Sequence, residues 1–465
     1  MTAGAGLRII LVWCLAILVS VVWWVNRETQ DVAERVRETY PLGDSIPLDR
    51  LTEVEIIHAD GRVFRMVSTT DGWQQTEPFP VGIDTFSLRE LGSTAQGLVR
   101  VDSIDISDPE SAGRLGLDPA AAIITWTWED AEGTQTQSVQ LGNRTLAGRA
   151  WVRLADDPEQ AALVDADLHV KVLETDMRYL RNRMLAPNAG TETDQIVVEA
   201  GTERMELRRT DSGWELLEPV RTRGDDSAIS DWLSRISRAR ASGFLHDEPE
   251  SLERFGLADP IGVLALRNRS AEGAGEAGVS AEARVILLGD PIGVGSPDRY
   301  GLIDGAPTVI RLDGETQQVL VPSAATLIDA TGSGVVREDI AGIEIQTAGE
   351  ALSIEREFDG WQAYLGQDEP VEIARDPVEQ LMKQLTNSRA GEILLAPFPS
   401  ALQHAIVILY GFDGSPIDTV RIALDPEGGN WALENGDDVL RIFPASFELP
   451  LTAADFGLLG DSDAR

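Results

Sequence analysis

Residues 62–78, "RVFRMVSTTDGWQQTEP", contain the pattern that decides the fold of this chain. An alternating apolar run comes before Gly72, and Trp73 opens a second run, which predicts a hairpin because glycine readily adopts the positive φ of a tight turn. The arrangement recurs at residues 212–214 (SGW), after "RMELRRTD", and at residues 359–361 (DGW), after "LSIEREF". The chain therefore contains three copies of one hairpin-bearing unit.

A helix is predicted after each hairpin. Seven residues beyond the Glu of a following Glu-Pro pair stands an Asp that can cap a helix: Asp84, Asp225 and Asp376. Pro377 would then occupy the first helical position of copy three. Apolar residues follow at helical spacing, and in copy two they are Ile229, Trp232, Leu233 and Ile236. Each copy should thus have one amphipathic helix with a single buried face.

A second motif reads "GRLGLDP" at residues 113–119 and "ERFGLADP" at residues 253–260, and its final proline is 46 residues after the hairpin tryptophan in both copies. It predicts a helix end, with a glycine in the left-handed conformation, a leucine that folds back, and a proline that prevents continuation. In copy one these residues are Gly116, Leu117 and Pro119, and in copy two they are Gly256, Leu257 and Pro260. Pro249 is predicted to begin the helix of copy two. We interpret the motif as repeated construction rather than as an active site.

The tryptophans offer two further interpretations. Trp73, Trp214 and Trp361 begin the same strand in each copy, which favours a shared place in the core over a ligand groove. Trp126 and Trp128 are not repeated, and they alternate along one strand so that both face the same side. These two are the better candidates for ligand contact.

Residues 7–25 are predicted to form a transmembrane helix. After Arg8 the segment is uncharged, its length as a helix is about 25 Å, and Trp23 and Trp24 stand at its far end, where indoles favour the membrane interface. A cleaved signal peptide is the alternative, although no small-x-small cleavage pattern follows the apolar run.

The short N-terminus, residues 1–6, is expected in the cytoplasm, and residues 26–50 form a stalk. This arrangement predicts a single-pass protein of the plasma (inner) membrane whose bulk is extracytoplasmic, or periplasmic.

The composition excludes several function classes. The formal charge is -38, from 77 acidic and 39 basic side chains, and this repels nucleic acid. Cys14 is the one cysteine, and four histidines are scattered, so no disulfide, zinc or iron–sulfur site is predicted. Residues 273–278, "GAGEAG", match G-x-G-x-x-G but lie in a small-residue insertion, which favours a loop. We predict no catalytic, cofactor or metal residues, with a weak calcium site in loops such as residues 165–168 as an open alternative.

The predicted fold class is α+β, with tandem repeats of mainly antiparallel sheet after the membrane helix. The boundaries are residues 51–190 for the first repeat, 195–340 for the second and 341–460 for the third. In sequence the third repeat is degenerate, because it has "PFPSALQHA" at residues 397–405 in place of the Gly-Leu-x-Pro motif.

The succession of Gly-Trp hairpin, Glu-Pro pair, capped helix and Gly-Leu-x-Pro motif resembles the bacterial and archaeal family called domain of unknown function 4340. The resemblance covers residues 51 to about 340 in two tandem copies. It implies one N-terminal membrane helix and an association with ABC-type transport components of the gliding-motility auxiliary type. It implies no catalytic residue.

Three functions follow as hypotheses. The first is a membrane-anchored, non-catalytic protein that binds or scaffolds a protein partner, in particular a membrane transport complex, with any small-molecule ligand unknown. The second is an extracytoplasmic hydrolase of envelope polymers that uses paired carboxylates. The third is a purely structural envelope protein.

Overall fold

A computed structural model describes residues 46–70, 72–268, 283–365 and 369–458. The chain divides into two compact bodies, which we describe separately. The N-terminal body ends at Arg183 and contains the first repeat, and the C-terminal body begins at Met184 and contains the second and third repeats.

The first repeat is an antiparallel sheet of nine strands, counted over the described residues, in the order β4-β3-β2-β1-β6-β7-β8-β9-β5. Its strands are β1 (Leu51–His58), β2 (Val63–Thr69), β3 (Gly72–Glu77), β4 (Val81–Gly82), β5 (Asp102–Asp105), β6 (Ala122–Asp130), β7 (Gly133–Arg144), β8 (Arg149–Leu154) and β9 (Gln160–Asp165). Its helices are α1 (Thr85–Gln96), α2 (Pro109–Arg114) and α3 (Asp167–His169), followed by a π-helical turn at Val170–Glu174 and a 3₁₀ turn at Met177–Leu180.

The second repeat has the same strand order, β13-β12-β11-β10-β15-β16-β17-β18-β14. Its strands are β10 (Thr193–Ala200), β11 (Glu203–Thr210), β12 (Gly213–Glu218), β13 (Thr222–Arg223), β14 (Gly243–Asp247), β15 (Gly262–Asn268), β16 (Arg284–Pro291), β17 (Arg299–Ile303) and β18 (Thr308–Leu312). Its helices are α4 (Asp226–Arg238) and α5 (Gly314–Leu320), with 3₁₀ turns at Glu253–Phe255 and Ala324–Thr326.

The third repeat again has this order, β22-β21-β20-β19-β24-β25-β26-β27-β23. Its strands are β19 (Gly342–Thr347), β20 (Ala351–Arg356), β21 (Trp361–Leu365), β22 (Val371–Ile373), β23 (Glu392–Leu395), β24 (Gln403–Tyr410), β25 (Pro416–Leu424), β26 (Trp431–Glu434) and β27 (Val439–Phe443). Its helix is α6 (Arg375–Thr386), with 3₁₀ turns at Arg337–Asp339 and Ser400–Leu402. Although degenerate in sequence, the third repeat is a complete copy of the sheet.

Each sheet packs one face against the long helix of its own repeat. The apolar stripe that the sequence predicts on α4 is buried, and α1 and α6 bury equivalent stripes. Burial of such a stripe is the main stabilising contribution of a surface helix, because isolated helices of this length are marginal in water. Short additional helices such as α2 and α5 accompany the long ones, so the prediction of one helix per repeat was too simple.

Asp84 and Asp225 cap α1 and α4 as predicted, because their carboxylates accept the backbone N–H groups of Ser87 and Ala228. The prediction for Asp376 and Pro377 was wrong. Strand β22 pairs with β21 in a register that places Ala374 at the cap, so α6 begins at Arg375 and Asp376 lies inside its first turn. There its charge still favours the positive end of the helix dipole.

The helix predicted to begin at Pro249 was also wrong. The Asp247 carboxylate accepts a hydrogen bond from the Thr308 hydroxyl, and a short 3₁₀ turn begins only after Leu252. In the first repeat the corresponding helix, α2, does begin at a proline, Pro109, with Asp108 as its cap.

The segments predicted as cytoplasmic N-terminus (1–6), membrane helix (7–25) and most of the stalk lie outside the described residues, as does the glycine-rich loop at residues 273–278. Within the part of the chain that the structure describes, no helix is both long and apolar enough to cross a membrane. Ile46, at the end of the predicted stalk, is buried in the first core.

Candidate functional site

The C-terminal body has a polar cleft of about 800 Å³ where its two repeats meet. The second repeat contributes the ends of β12 and β13 and the start of α4. The third repeat contributes the loop between β26 and β27, Asp418 of β25 and Arg389 in the segment between α6 and β23, and the chain connecting the two repeats adds two more residues. The lining residues that matter below are Thr222, Arg223, Asp225, Asp329, Arg389 and Asp437.

Arg441 lies behind the wall of this cleft, on β27, with its side chain fully buried. Its Nη2 donates hydrogen bonds to Asp437 Oδ2 (2.9 Å) and to Thr222 Oγ1 (3.1 Å), and its Nε donates to the Asp329 carbonyl (2.9 Å). Nη1 donates to the Val439 carbonyl (3.2 Å). A buried charge is tolerated only when it is paired and hydrogen-bonded, and Arg441 meets both conditions.

The position of Arg441 is apolar in the second repeat. Arg441 pairs with Ile393 across β27 and β23, and Ile310 has the same place across β18 and β14, where it belongs to the core. The third repeat has thus replaced a core residue by a cation, and one of its partners, Thr222, belongs to the neighbouring repeat. Arg441 therefore joins the two repeats through buried polar contacts.

Two further ion pairs cross the cleft. Arg389 donates to Asp225, the cap of α4, and Arg223 Nε donates to Asp329 Oδ2 (3.1 Å). Val439 extends the contact as an apolar residue packed into the core of the second repeat. The cleft is therefore the solvent-facing part of the contact between the second and third repeats, and the apolar packing of Val439 lies beneath it. We call this contact the joint.

Two acidic groups of the cleft, Asp225 and Asp437, have lowered pKa values. Burial raises the pKa of Asp225, but hydrogen bonds from the Ala228 N–H and from Arg389 outweigh it, so the pKa is lowered. For Asp437, burial is likewise outweighed by Arg441 and Thr222, and the pKa is again lowered. A general acid needs a raised pKa, so these two carboxylates are unsuited to that role.

Across the described ranges, no group of three or more His, Cys, Asp or Glu side chains is placed to hold a metal ion. In the loop at residues 165–168, Asp165 forms an ion pair with Arg149. The cleft can offer a ligand hydrogen bonds and charged groups of both signs, since Glu and Asp carboxylates and Arg guanidinium groups line it.

The repeated tryptophans occupy the cores. Trp214 and Trp361 are buried, and Trp73 is half-buried against the first core. Trp214 alone also lines the cleft, and its buried indole Nε1 has no hydrogen-bond partner among the described residues. Trp126 is 1% exposed in the first core, so it cannot form the ligand-facing surface proposed for it from the sequence.

The Gly-Leu-x-Pro residues of the first and second repeats pack within their own repeats and do not line the cleft. Gly116 (φ 68°) and Gly256 (φ 64°) have the left-handed conformation that the sequence predicts for them. Leu117 and Leu257 are buried, and the peptide bond before Pro119 is cis. In the second repeat Pro260 follows the same turn and precedes β15. In the third repeat, buried Phe398 packs at the corresponding place.

Sequence reasoning missed Arg441 and its partners. The detectable signal was an arginine at the centre of "VLRIF" (439–443), an otherwise apolar strand, where the second repeat has "TVIRL" with isoleucine at the centre. Its partner Thr222 is distant in sequence and gives no local signal.

The fold and the joint define a tandem-repeat protein built from nine-stranded antiparallel sheets, as counted in the described residues. The family model for a domain of unknown function (DUF4340) matches residues 73–245 and 214–404, and these spans cover more than half of the chain. The chain belongs to this family. The matches begin at the hairpin tryptophans of the first and second repeats, and the second match extends into the third repeat.

No curated protein matches the sequence. One solved structure, a Ca²⁺-stabilised adhesin that helps an Antarctic bacterium to bind ice, covers 86% of this chain and 91% of that chain at 9% identity, with a TM-score of 0.09. A score this low supports no inference about fold or function.

Proposed function

We propose that the chain is a non-catalytic binding and scaffolding protein, anchored in the membrane by its N-terminal segment, with its repeats outside the cytoplasm. Its partner is a membrane transport complex of the ABC type. The transporter follows from what the family resemblance implies, and the anchor from the apolar segment at residues 7–25.

The observation that carries the binding role is the joint between the second and third repeats. Arg441, Asp437 and Thr222 form one buried network across it, and the Arg389–Asp225 pair adds a second link. Repeat proteins bind through extended surfaces made by successive units, and such a surface keeps its shape only if the units are fixed to each other. A polar joint of this kind favours one relative position, because other arrangements would remove the Thr222 contact of Arg441 and the Arg389–Asp225 pair.

The cleft supports binding over hydrolysis. Glycosidase-type chemistry needs one carboxyl group with a raised pKa beside an ionised one. In the cleft the pKa values of Asp225 and Asp437 are both lowered, and each carboxylate is engaged by an arginine.

The test is purification of the full-length tagged chain from gently solubilised membranes of its host, with and without prior cross-linking. We expect an ABC-type permease or its ATPase to be recovered in fixed proportion to the chain. An untagged strain controls for carry-over. Recovery of the chain free of both transporter subunits, in cross-linked and native preparations alike, would contradict the proposal and favour a purely structural envelope role.

The anchor and the sidedness have their own test. Resistance to alkaline extraction should show integral membrane insertion, and protease added outside the inner membrane should digest the repeats. Release of the chain by alkaline washing would remove the anchor from the proposal.

A further inference from the structure

Two exposed phenylalanines stand on neighbouring turns at one end of the third sheet. Phe358 lies in the turn between β20 and β21, and Phe412 in the turn between β24 and β25. Strand β19 runs between β20 and β24, so Gly342 pairs with Glu355 on one side and with Tyr410 on the other. Both turns therefore project beyond the start of β19.

The backbone confirms that the two turns are adjacent. The Arg356 N–H donates to the Ala341 carbonyl (2.9 Å), and the Ala341 N–H donates to the Tyr410 carbonyl (2.8 Å). Each turn is closed by its own hydrogen bond, from Glu357 N–H to the Gly360 carbonyl (2.9 Å) in one and from Gly411 N–H to the Ser415 carbonyl (2.9 Å) in the other. The phenylalanines are thus carried on ordered turns that end next to each other.

The side chains at this end form an exposed apolar patch. Phe358 is 100% exposed and Phe412 is 73% exposed, and Ile417, at the start of β25, is 38% exposed. Ile417 lies beside the second turn, where its Cγ2 would be 3.1 Å from a Cβ placed on Gly411. Exposed apolar groups on adjacent turns mark interaction sites more often than isolated ones do. We call Phe358, Phe412 and Ile417 the aromatic patch.

One cation helps to order the patch. The Arg356 guanidinium carbon lies 5.9 Å from the Phe412 ring centroid and 5.8 Å from that of buried Trp361. Both distances are within the range of a cation–π interaction, which connects the exposed ring to a core residue. Phe412 therefore loses little conformational freedom when a partner covers it.

The sister repeats provide an internal comparison. Counting back from the Gly-Trp pair, Phe358 occupies the place of Thr70 in the first repeat and of Asp211 in the second. The turn that corresponds to the Phe412 turn is "DAEG" (130–133) in the first repeat, while its second-repeat equivalent lies outside the described residues. Small polar residues suffice to make these turns, so neither aromatic is needed for the fold. Their presence in the third repeat alone indicates a separate role.

The charge around the aromatic patch selects the kind of partner. On the two turns Glu357, Asp359 and Asp413 are acidic and no residue is basic, whereas Arg356 stands next to the first turn at the end of β20. An anionic lipid surface would be repelled by this rim, and a second copy of an acidic chain would be repelled as well. An apolar protein surface bordered by Lys or Arg would be complementary both to the apolar side chains of the patch and to the acidic residues around them.

We infer that the aromatic patch docks an apolar protein segment flanked by basic residues, belonging to the partner that the proposed function assigns to this chain. The inference rests on that function for the existence of the partner. It adds the place of contact and the chemistry of the surface that is bound.

The test introduces a photo-reactive benzoylphenylalanine at position 358, 412 or 86 of the full-length chain in its host. Phe86 is the matched control, because it is a 76% exposed phenylalanine on α1 of the first repeat. We expect positions 358 and 412 to cross-link to the same protein, through a peptide with Lys or Arg next to apolar residues. Adducts should weaken at high salt, which screens the charged rim. Position 86 should give no such adduct.

The double variant Phe358→Ser, Phe412→Ser should lower recovery of that protein about tenfold, as expected for loss of aromatic anchors, while Phe86→Ser leaves it unchanged. Adducts to lipid, to a second copy of the chain or to an acidic peptide would overturn the inference, as would unchanged recovery with the double variant. If the transporter still co-purifies with the double variant, the patch assignment fails and the scaffold function stands. If the wild-type chain recovers no transporter, the scaffold function fails, and the identity of the cross-linked peptide alone decides the patch assignment.

Discussion

Arg441 of the third repeat donates a hydrogen bond of 3.1 Å to the hydroxyl of Thr222 in the second repeat, and both side chains are removed from solvent. In the second repeat the position of Arg441 is taken by Ile310, which needs no partner. The contact is thus a property of the joint and not of the sheet.

Replacing Arg441 by Leu should destabilise the C-terminal body by about 3 to 5 kcal/mol, because Asp437 is left buried without its counter-charge. Adding Asp437→Asn should recover a large part of this loss, since no unpaired charge then remains. Denaturant unfolding of the variants provides the measurement. The control is Arg375→Leu, which removes an exposed ion pair on α6 and should lower the free energy of unfolding by less than about 1 kcal/mol. Equal losses for Arg441→Leu and the control would show that the network is not stabilising.

Asp225→Ala should lower the free energy of unfolding more than Asp84→Ala does, although both residues cap a helix. Each variant loses a cap worth about 1 kcal/mol. Asp225 additionally pairs with Arg389, whose exposed side chain limits the extra contribution to less than about 1 kcal/mol. The comparison uses the change in unfolding free energy of each variant, and Arg389→Ala in the Asp225→Ala background should then add almost nothing. A further large loss in that background would mean that Arg389 stabilises the joint by another route.

Gly256→Ala should destabilise the second repeat by more than Gly305→Ala. Both glycines have positive φ, so alanine is strained at either position by about 1 kcal/mol. At Gly256 a Cβ would also lie 2.5 Å from Asp290 Cγ, whereas at Gly305 nothing lies within 4 Å. Thermal unfolding of the two variants under identical conditions measures the difference. Equal midpoints would show that the neighbours of Gly256 move aside freely.

The stability of the N-terminal body should fall with acid because of His169. Burial lowers the pKa of this histidine from 6.5 to about 4, and its Nε2 contacts the Trp151 carbonyl at 3.2 Å. The unfolded chain takes up a proton below about pH 6.5, while the folded chain does not until about pH 4. Stability is therefore complete above pH 6.5 and decreases between pH 6.5 and pH 4, by on the order of 3 kcal/mol.

The free energy of unfolding is measured between pH 6.5 and pH 4 for the wild-type chain and for His169→Gln. The variant should lose most of the decrease in stability that the wild-type chain shows over this range. His404→Gln, which lies in the C-terminal body, serves as the control for the profile of the N-terminal body. If His169→Gln kept the wild-type slope, the acid sensitivity would belong to other groups.

Most of the fold could be predicted from local sequence patterns. Gly72 and its equivalents mark hairpins, and the stripe from Ile229 to Ile236 marks α4, because both signals depend on spacing within a few residues. The start of α6 was misplaced because its cap at Ala374 depends on the pairing of β22 with β21, a contact that spacing along the chain does not encode. Trp126 was assigned to a surface for the same reason, since which face of a strand is buried depends on what packs against the sheet.

The joint was harder to predict still. Arg441 could have been noticed as a charge in an apolar strand, but Thr222 and the Asp329 carbonyl become its partners only after two repeats have folded against each other. The aromatic patch was equally hard to predict. Phe358 and Phe412 are more than fifty residues apart in sequence, and the order of three strands brings their turns to the same end of the sheet.

The joint also means that the three copies, although built to one plan, cannot take each other's places. By strand pairing, the first repeat has Val81 where the second has Thr222. A chain whose first and second repeats were exchanged would keep the strand order of every sheet, yet it would set the buried guanidinium of Arg441 against a valine. Thr222 is thus one of the residues that fix the order of the repeats along the chain, and any added fourth copy would need a matching residue of its own.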